Sequence, residues 1–184
     1  MDEKLHDLLA AYRNGTPGAL DSLVPLIYDD LRRIARRHVR QWPGLTLNTT
    51  GVVHETYLKL ARQHSLDAND RAHFMVICSH AMRQFIVSHA RGKYADKRGA
   101  LAETVTLDDV ELPLQAEAEE LLTIDQALKG LAEVDPRLVR VFECRYFGGY
   151  SAEETSEALS VPLRTVQRDW LRARAWLLEL LSPS

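Results

Sequence analysis

The sequence predicts an all-α protein built as two small helical units. Three observations carry that prediction. Apolar residues recur at three- and four-residue intervals over almost every patterned stretch. Strand-like alternation never persists beyond a few residues, and the charge changes sign along the chain. Leu5, Leu8, Leu9 and Tyr12 open a short helix that stops at Asn14-Gly15. Leu20, Leu23/Val24, Ile27, Leu31, Ile34/Ala35 and His38 then hold one face of a long helix. Pro25 falls inside that pattern, so the helix is kinked there or begins later than Leu20, and it stops before Pro43-Gly44. Val53, Thr56/Tyr57 and Leu60 mark a third helix over about 50–64. Phe74, Ile77/Cys78, Ala81, Phe85 and Ser88 mark a fourth over about 71–92. Leu121, Ile124/Asp125 and Leu128 form the next, Pro136 to Tyr146 another, and the last two lie near 151–159 and 163–180.

Composition bounds the classes of function. With 184 residues, 46% hydrophobic and 27% charged, the chain is neither disordered nor embedded in a membrane. No apolar run approaches the ~18–20 residues of a spanning helix. The N-terminus is acidic and amphipathic, unlike a secretory signal, and the two cysteines lie too far apart to suggest a disulfide framework. A soluble cytoplasmic protein is expected.

The net charge of −3 conceals a strong asymmetry. Residues 1–99 carry 15 bases and 10 acids, residues 100–120 carry seven acids and no base, and residues 121–184 carry eight bases and nine acids. This predicts a basic domain over 1–99, a flexible acidic linker over 100–118 that contains Pro113, and a second domain over 119–184. A solvated tether is the plain reading of the acidic run. The sharper one is a strip that mimics nucleic acid in a basic channel.

The C-terminal stretch is the most informative. Ser151 and Glu154 form a capping box, and the helix it starts buries Thr155, Ala158 and Leu159. Ser160-Val161-Pro162 makes a tight connection, and Pro162 suits the start of a following helix. There Val166, Trp170, Ala173 and Leu177 make the inner face, leaving Arg164, Thr165, Gln167, Arg168, Leu171 and Arg172 on the other faces. A short helix, a tight turn and a longer helix that begins with Arg and polar residues form a helix-turn-helix. Arg reads guanine with two hydrogen bonds, Gln reads adenine, and Thr or Arg binds phosphate. The plainer alternative is a helical hairpin with a solvated arginine face.

Taken with VVHETYLKL (52–60) and FMVICSHAMRQFIVSHARGKYADKRG (74–99), the segment TVQRDWLRARAWL (165–177) resembles the extracytoplasmic-function group of bacterial RNA polymerase sigma factors. The resemblance covers nearly the whole chain, as sigma domain 2 followed by sigma domain 4. It implies a non-catalytic subunit, without cofactor, that binds core RNA polymerase through its clamp helices and flap and directs it to promoter DNA. It implies minus-35 contacts by Arg164, Thr165, Gln167, Arg168 and Arg172. It implies minus-ten contacts by Arg83, Gln84, His89, Arg91, Lys93, Lys97 and Arg98, with a capture site for an unstacked base near Asn69, Asp70 and Arg71. His80, beside the apolar stripe, reads as a core or cap residue. Thr50, Val53, His54, Glu55 and Leu58 fall in the polymerase-binding segment.

One departure matters. Members of the group commonly carry acids just before the segment matching VVHETYLKL, facing basic clamp helices, whereas this chain has Asn48-Thr49-Thr50-Gly51. Losing complementary charge weakens the encounter. Phosphorylation of Thr50, which takes the place of an acid, or of Thr49 would restore about −1.5 to −2 charge at a helix N-terminus. A Ser/Thr kinase would then be a partner. The plainer role for either threonine is as the helix cap.

Seven histidines raise a metal site, but His73/His80 and His80/His89 lack the i, i+4 spacing of a helical zinc site, and His54-Glu55 has no second histidine of an HExxH pattern. No metal site is expected. No nucleophile elbow, Walker loop or dinucleotide fingerprint occurs, and Gly148-Gly149 reads as a helix stop. An enzyme is not expected. The competing functional readings are a stand-alone helix-turn-helix regulator and a sigma-like decoy that sequesters a partner.

Overall fold

The computed structural model describes residues 2–63, 68, 70–100 and 111–181. Eight α-helices follow one another there: α1 (Asp2–Arg13), α2 (Ala19–Gln41), α3 (Thr49–Arg62), α4 (Arg71–Ala100), α5 (Glu111–Val134), α6 (Pro136–Phe142), α7 (Ala152–Leu159) and α8 (Leu163–Leu181). A 3-10 turn spans Pro43–Leu45 and a π turn spans Glu143–Phe147. No strand occurs among the described residues, and no helix among them is long and apolar enough to cross a membrane.

Local chemistry sets the ends. Gly15 and Gly18, both at positive φ, turn the chain between α1 and α2. Helix α2 runs through Pro25 from Ala19 onwards, so the later start is not taken. Asn48, in extended conformation, accepts the Gly51 N–H at 2.7 Å and caps α3; neither Thr49 nor Thr50 is the cap. Asp135 accepts the Arg137 N–H at 3.1 Å to start α6. Both bonds of the capping box on α7 are present, at 2.7 and 3.1 Å.

Two predicted boundaries shift. Helix α4 continues to Ala100, about two turns past the apolar pattern, where Arg, Lys and Ala are favourable helix formers. Helix α5 begins at Glu111, so the second half of the acidic run is helix and not tether. Pro113 lies in its first turn, where a missing N–H costs nothing. The side chains of Glu117 and Ala118 are held: the carboxylate accepts the Gly44 N–H at 2.7 Å and the methyl is buried. Residues 101–110 lie outside the described residues.

Helices α1 to α4 pack around Leu9, Leu23, Ile27, Phe74 and Met82. The Tyr12 ring stands edge-on to Phe74 at 5.9 Å, and its hydroxyl donates to the Leu60 carbonyl at 2.9 Å. Helices α5 to α8 pack around Leu121, Leu128, Leu138 and Leu177, and the two cores are continuous. Phe147 joins them: almost wholly buried, it stacks on His38 of α2 at 5.6 Å and meets Phe142 edge-on at 6.2 Å.

His38 is 1% exposed, and neither ring nitrogen has a hydrogen-bond partner. Burial, with the nearby Arg83 and Arg37 charges, lowers its pKa from 6.5 to about 3. The folded state thus binds one proton fewer than the unfolded chain between those values. Stability is fully present above pH 6.5 and drains as pH falls, by about 1.4 kcal/mol per pH unit for this one group. His38→Leu should flatten the fall in melting temperature between pH 6.5 and 5. An unchanged acid slope in the variant would show that His38 is not its source.

Candidate nucleic-acid interface

Helices α7 and α8 are joined at Ser160, which takes the left-handed conformation at φ 52°. The Val161 N–H donates to the Ser156 carbonyl at 3.0 Å, and the Ser156 hydroxyl donates to the Val161 carbonyl at 2.6 Å. These bonds fix the turn in which Pro162 ends the connection. Val166, Ala173 and Leu177 are buried and Trp170 half-buried, the inner face the spacing predicts. Arg164, Gln167, Arg168 and Arg172 are exposed and Thr165 half-exposed. The helix therefore presents a cationic, hydrogen-bonding face beginning at its N-terminus.

Sequence reasoning missed what lies beneath that face. Asp169 is fully buried on α8, and one carboxylate oxygen accepts from Arg137 Nε of α6 at 2.6 Å. Its other oxygen faces Arg168 Nε at 3.6 Å and Arg172 Nη1 at 3.9 Å. Asp135 adds a second carboxylate, 3.9 Å from both Arg137 and Arg172. The hydrogen bond from Arg137 to Asp169 holds the arginine's pKa above its ordinary value. Three guanidinium groups thus gather around one buried anion while each side chain remains partly open to solvent. The available signal was an acid at the position before Trp170, on the inner face, which has no reason to be there unpaired.

On α4 the outcome is mixed. Arg83, read as a nucleic-acid contact, is 7% exposed and bound to two carboxylates: Asp125 of α5 at 2.7 Å and Glu143 of the π turn at 2.7 Å. Arg91 Nη2 reaches the other Asp125 oxygen at 2.7 Å, and Lys129 reaches the same oxygen at 2.9 Å. Burial pushes the Asp125 pKa up, but hydrogen bonds from Lys129 and Arg83 win and hold it below the ordinary carboxylate range. His80 is neither core nor cap; it is half-exposed and pairs with Glu143 at 2.9 Å. Gln84 is exposed and bonds Lys59 and His80. His89 Nε2 lies 3.2 Å from the Leu45 carbonyl, within its own bundle. Lys93 is exposed. The Lys97 and Arg98 side chains lie outside the described residues.

At the start of α4, Asp70 accepts the His73 N–H at 2.8 Å as the cap, and Arg71 pairs with Asp30 of α2. Asn69 lies outside the described residues. A cleft of about 360 Å³ opens beside Asp70 and Arg71, with Glu154 and Glu157 of α7 on its far wall. On α3, Thr50, His54 and Glu55 are exposed, Thr49 and Leu58 half-buried. Val53 is 4% exposed and lies in the core beneath that surface. Its place in the stripe with Thr56 and Leu60 was the local signal for burial. No group of residues suited to a metal ion occurs among the described residues.

A family model described as ECF sigma factor matches residues 2–182. No curated protein matches the chain.

The Asp169–Arg137 bridge should couple α6 to α8. In a double-mutant cycle of Asp169→Asn and Arg137→Met, urea unfolding should return a coupling of about 1–3 kcal/mol. A coupling below about 0.5 kcal/mol would show that the bridge does not hold the helices together.

Proposed function

The chain belongs to the ECF sigma factor family, whose members are transcription initiation factors, and from that premise we propose that it binds core RNA polymerase and carries it to a dedicated set of promoters. The reading divides the labour between residues 1–99, which take polymerase and the minus-ten element, and residues 119–184, which take the minus-35 element. Residues 100–118 connect them. The observation that carries the proposal is the exposed row Arg164, Gln167, Arg168 and Arg172 on a helix whose opposite face is buried. Such a helix fits a major groove, with Arg and Gln toward base edges and Thr165 toward phosphate. Arg137 stands beside them as a further phosphate contact, oriented by Asp169.

Polymerase would meet the α3 surface formed by Thr50, His54, Glu55 and Leu58. The first turn of α3 holds no acid. Thr50 is exposed in that turn, where a phosphate would sit on the positive end of the helix dipole and face basic clamp helices. We read Thr50, and after it Thr49, as the position at which a Ser/Thr kinase switches polymerase binding on.

In vitro transcription with core enzyme, run beside duplex binding without it, tests the main reading. Transcription that needs both core enzyme and the chain carrying Thr50→Glu is expected, with weak duplex binding by the chain alone. Tight, specific duplex binding without polymerase would identify a stand-alone regulator, and polymerase binding without transcription a decoy. Arg168→Ala should cost about 1–3 kcal/mol at one promoter position if it reads a base. An equal loss on every sequence would make it a phosphate contact. For the switch, Thr50→Glu should bind core polymerase at least about tenfold more tightly than the unmodified chain or Thr50→Ala. Full binding and transcription by both of the latter would end the idea.

A further inference from the structure

We propose that Asp169, buried beneath the outer face of α8, is a positioning residue: its free carboxylate oxygen holds Arg168 by Nε and so aims that guanidinium at a guanine. The inference rests on the reading of α8 as the helix that enters the major groove. It deepens that reading by naming the base and the side chain that selects it without touching DNA.

The two oxygens of Asp169 are unequally served. One accepts from Arg137 Nε at 2.6 Å, a short charge-assisted bond from α6 that holds the carboxylate in place. The other is buried without a hydrogen-bond partner. A buried carboxylate oxygen left without a donor is costly, so this one is poised to take a donor when the nearby side chains rearrange. Two stand close. Arg168 Nε is 3.6 Å away and Arg172 Nη1 is 3.9 Å away, both beyond hydrogen-bond length. A movement of roughly 0.7 Å brings the Arg168 Nε–H to an ordinary bond length. Arg168 pairs with no other carboxylate among the described residues.

Which nitrogen faces the acid decides what the rest of the group can do. An arginine held by Nε keeps both terminal nitrogens free, and that pair matches guanine O6 and N7 with two hydrogen bonds. Arg168 is in this position, on an exposed stretch of the recognition helix. Arg172 is not: the atom it turns toward Asp169 and Asp135, each at 3.9 Å, is one of its terminal nitrogens. With one prong drawn to the acids, it suits a single bond to a phosphate. Arg137 is also held by Nε, but it lies on α6, outside the recognition helix, where contacts fall on the DNA backbone. One buried acid thus sorts three arginines into a base reader and two phosphate contacts. Lysine at position 168 would have the charge without the Nε–H or the fork, so it would neither be held nor read the base.

The test uses the full chain in two arms, the Thr50→Glu form with core polymerase and the chain alone. Each arm selects from a pool of duplexes randomised over the minus-35 element. Base preference is then compared, position by position, for the parent, Asp169→Asn, Arg168→Ala and Arg168→Lys. The parent should prefer guanine at one position by at least about tenfold, and all three substitutions should flatten that position while sparing the others. A folded Asp169→Asn variant that keeps the preference overturns the proposal. So does one that weakens every position equally, which is what a merely structural acid would do. Because Asp169→Asn removes a buried pair, exposed Arg168→Lys gives a second test: a lysine variant that still selects the guanine overturns the proposal too. A motif selected only with polymerase yet indifferent to Asp169 leaves the sigma reading standing without this one. A motif selected by the chain alone and flattened by Asp169→Asn does the reverse, and selection of no motif in either arm ends both.

Discussion

A guanidinium cannot be left alone in a protein interior, and Arg83 is buried where the two halves of the chain meet. Its charge demands two carboxylates within hydrogen-bonding distance, and both come from the far half. That demand fixes the register of α5 along α4, since Asp125 reaches Arg83 and Arg91 together. It also fixes the depth of the π turn, which must bring Glu143 under the same group. The apolar packing around Phe147 supplies most of the adhesion in such a contact, but hydrophobic burial is not directional. The ion pairs are what make one mutual arrangement better than its neighbours.

The π turn serves the same contact in a second way. Its widened ring sends the Gly148 N–H to the Glu143 carbonyl and the Tyr150 N–H to the Cys144 carbonyl. The carbonyls of Arg145 and Tyr146 are left pointing outward, and Arg37 and Gln41 take them from α2. Carbonyls in the last turn of a helix have no N–H of their own helix to accept from, and these two are taken by α2 instead. The end of the π turn is thus an acceptor edge for the other half of the molecule.

How far the sequence could be read depended on the range of each interaction. Helices were legible because periodic burial and capping are local: the Ser151 box, the stop at Gly148-Gly149 and the inner face of α8 all emerge from residues a few positions apart. The polar face of α8 was legible for the same reason. The partners of charged residues were not. Arg83 finds Asp125 at a separation of 42 residues and His80 finds Glu143 at 63, and no local pattern encodes such pairs. Composition misled over 111–118, where charge suggested a tether although the backbone is helical and Ala118 is buried. Val53 was assigned to a contact surface by its place in a motif, while its own periodicity already put it in the core.

The cap of α3 bears on how such a protein can be marked covalently. Asn48 makes the hydrogen bond that begins the helix, so the hydroxyls of Thr49 and Thr50 are not what starts it. Esterifying a hydroxyl that served as a cap would trade away part of the fold for each group attached. Here the residue that builds the helix is a different one from the threonines proposed to be phosphorylated. The state of one can change while the other keeps its task, and the signal need not be read through partial unfolding.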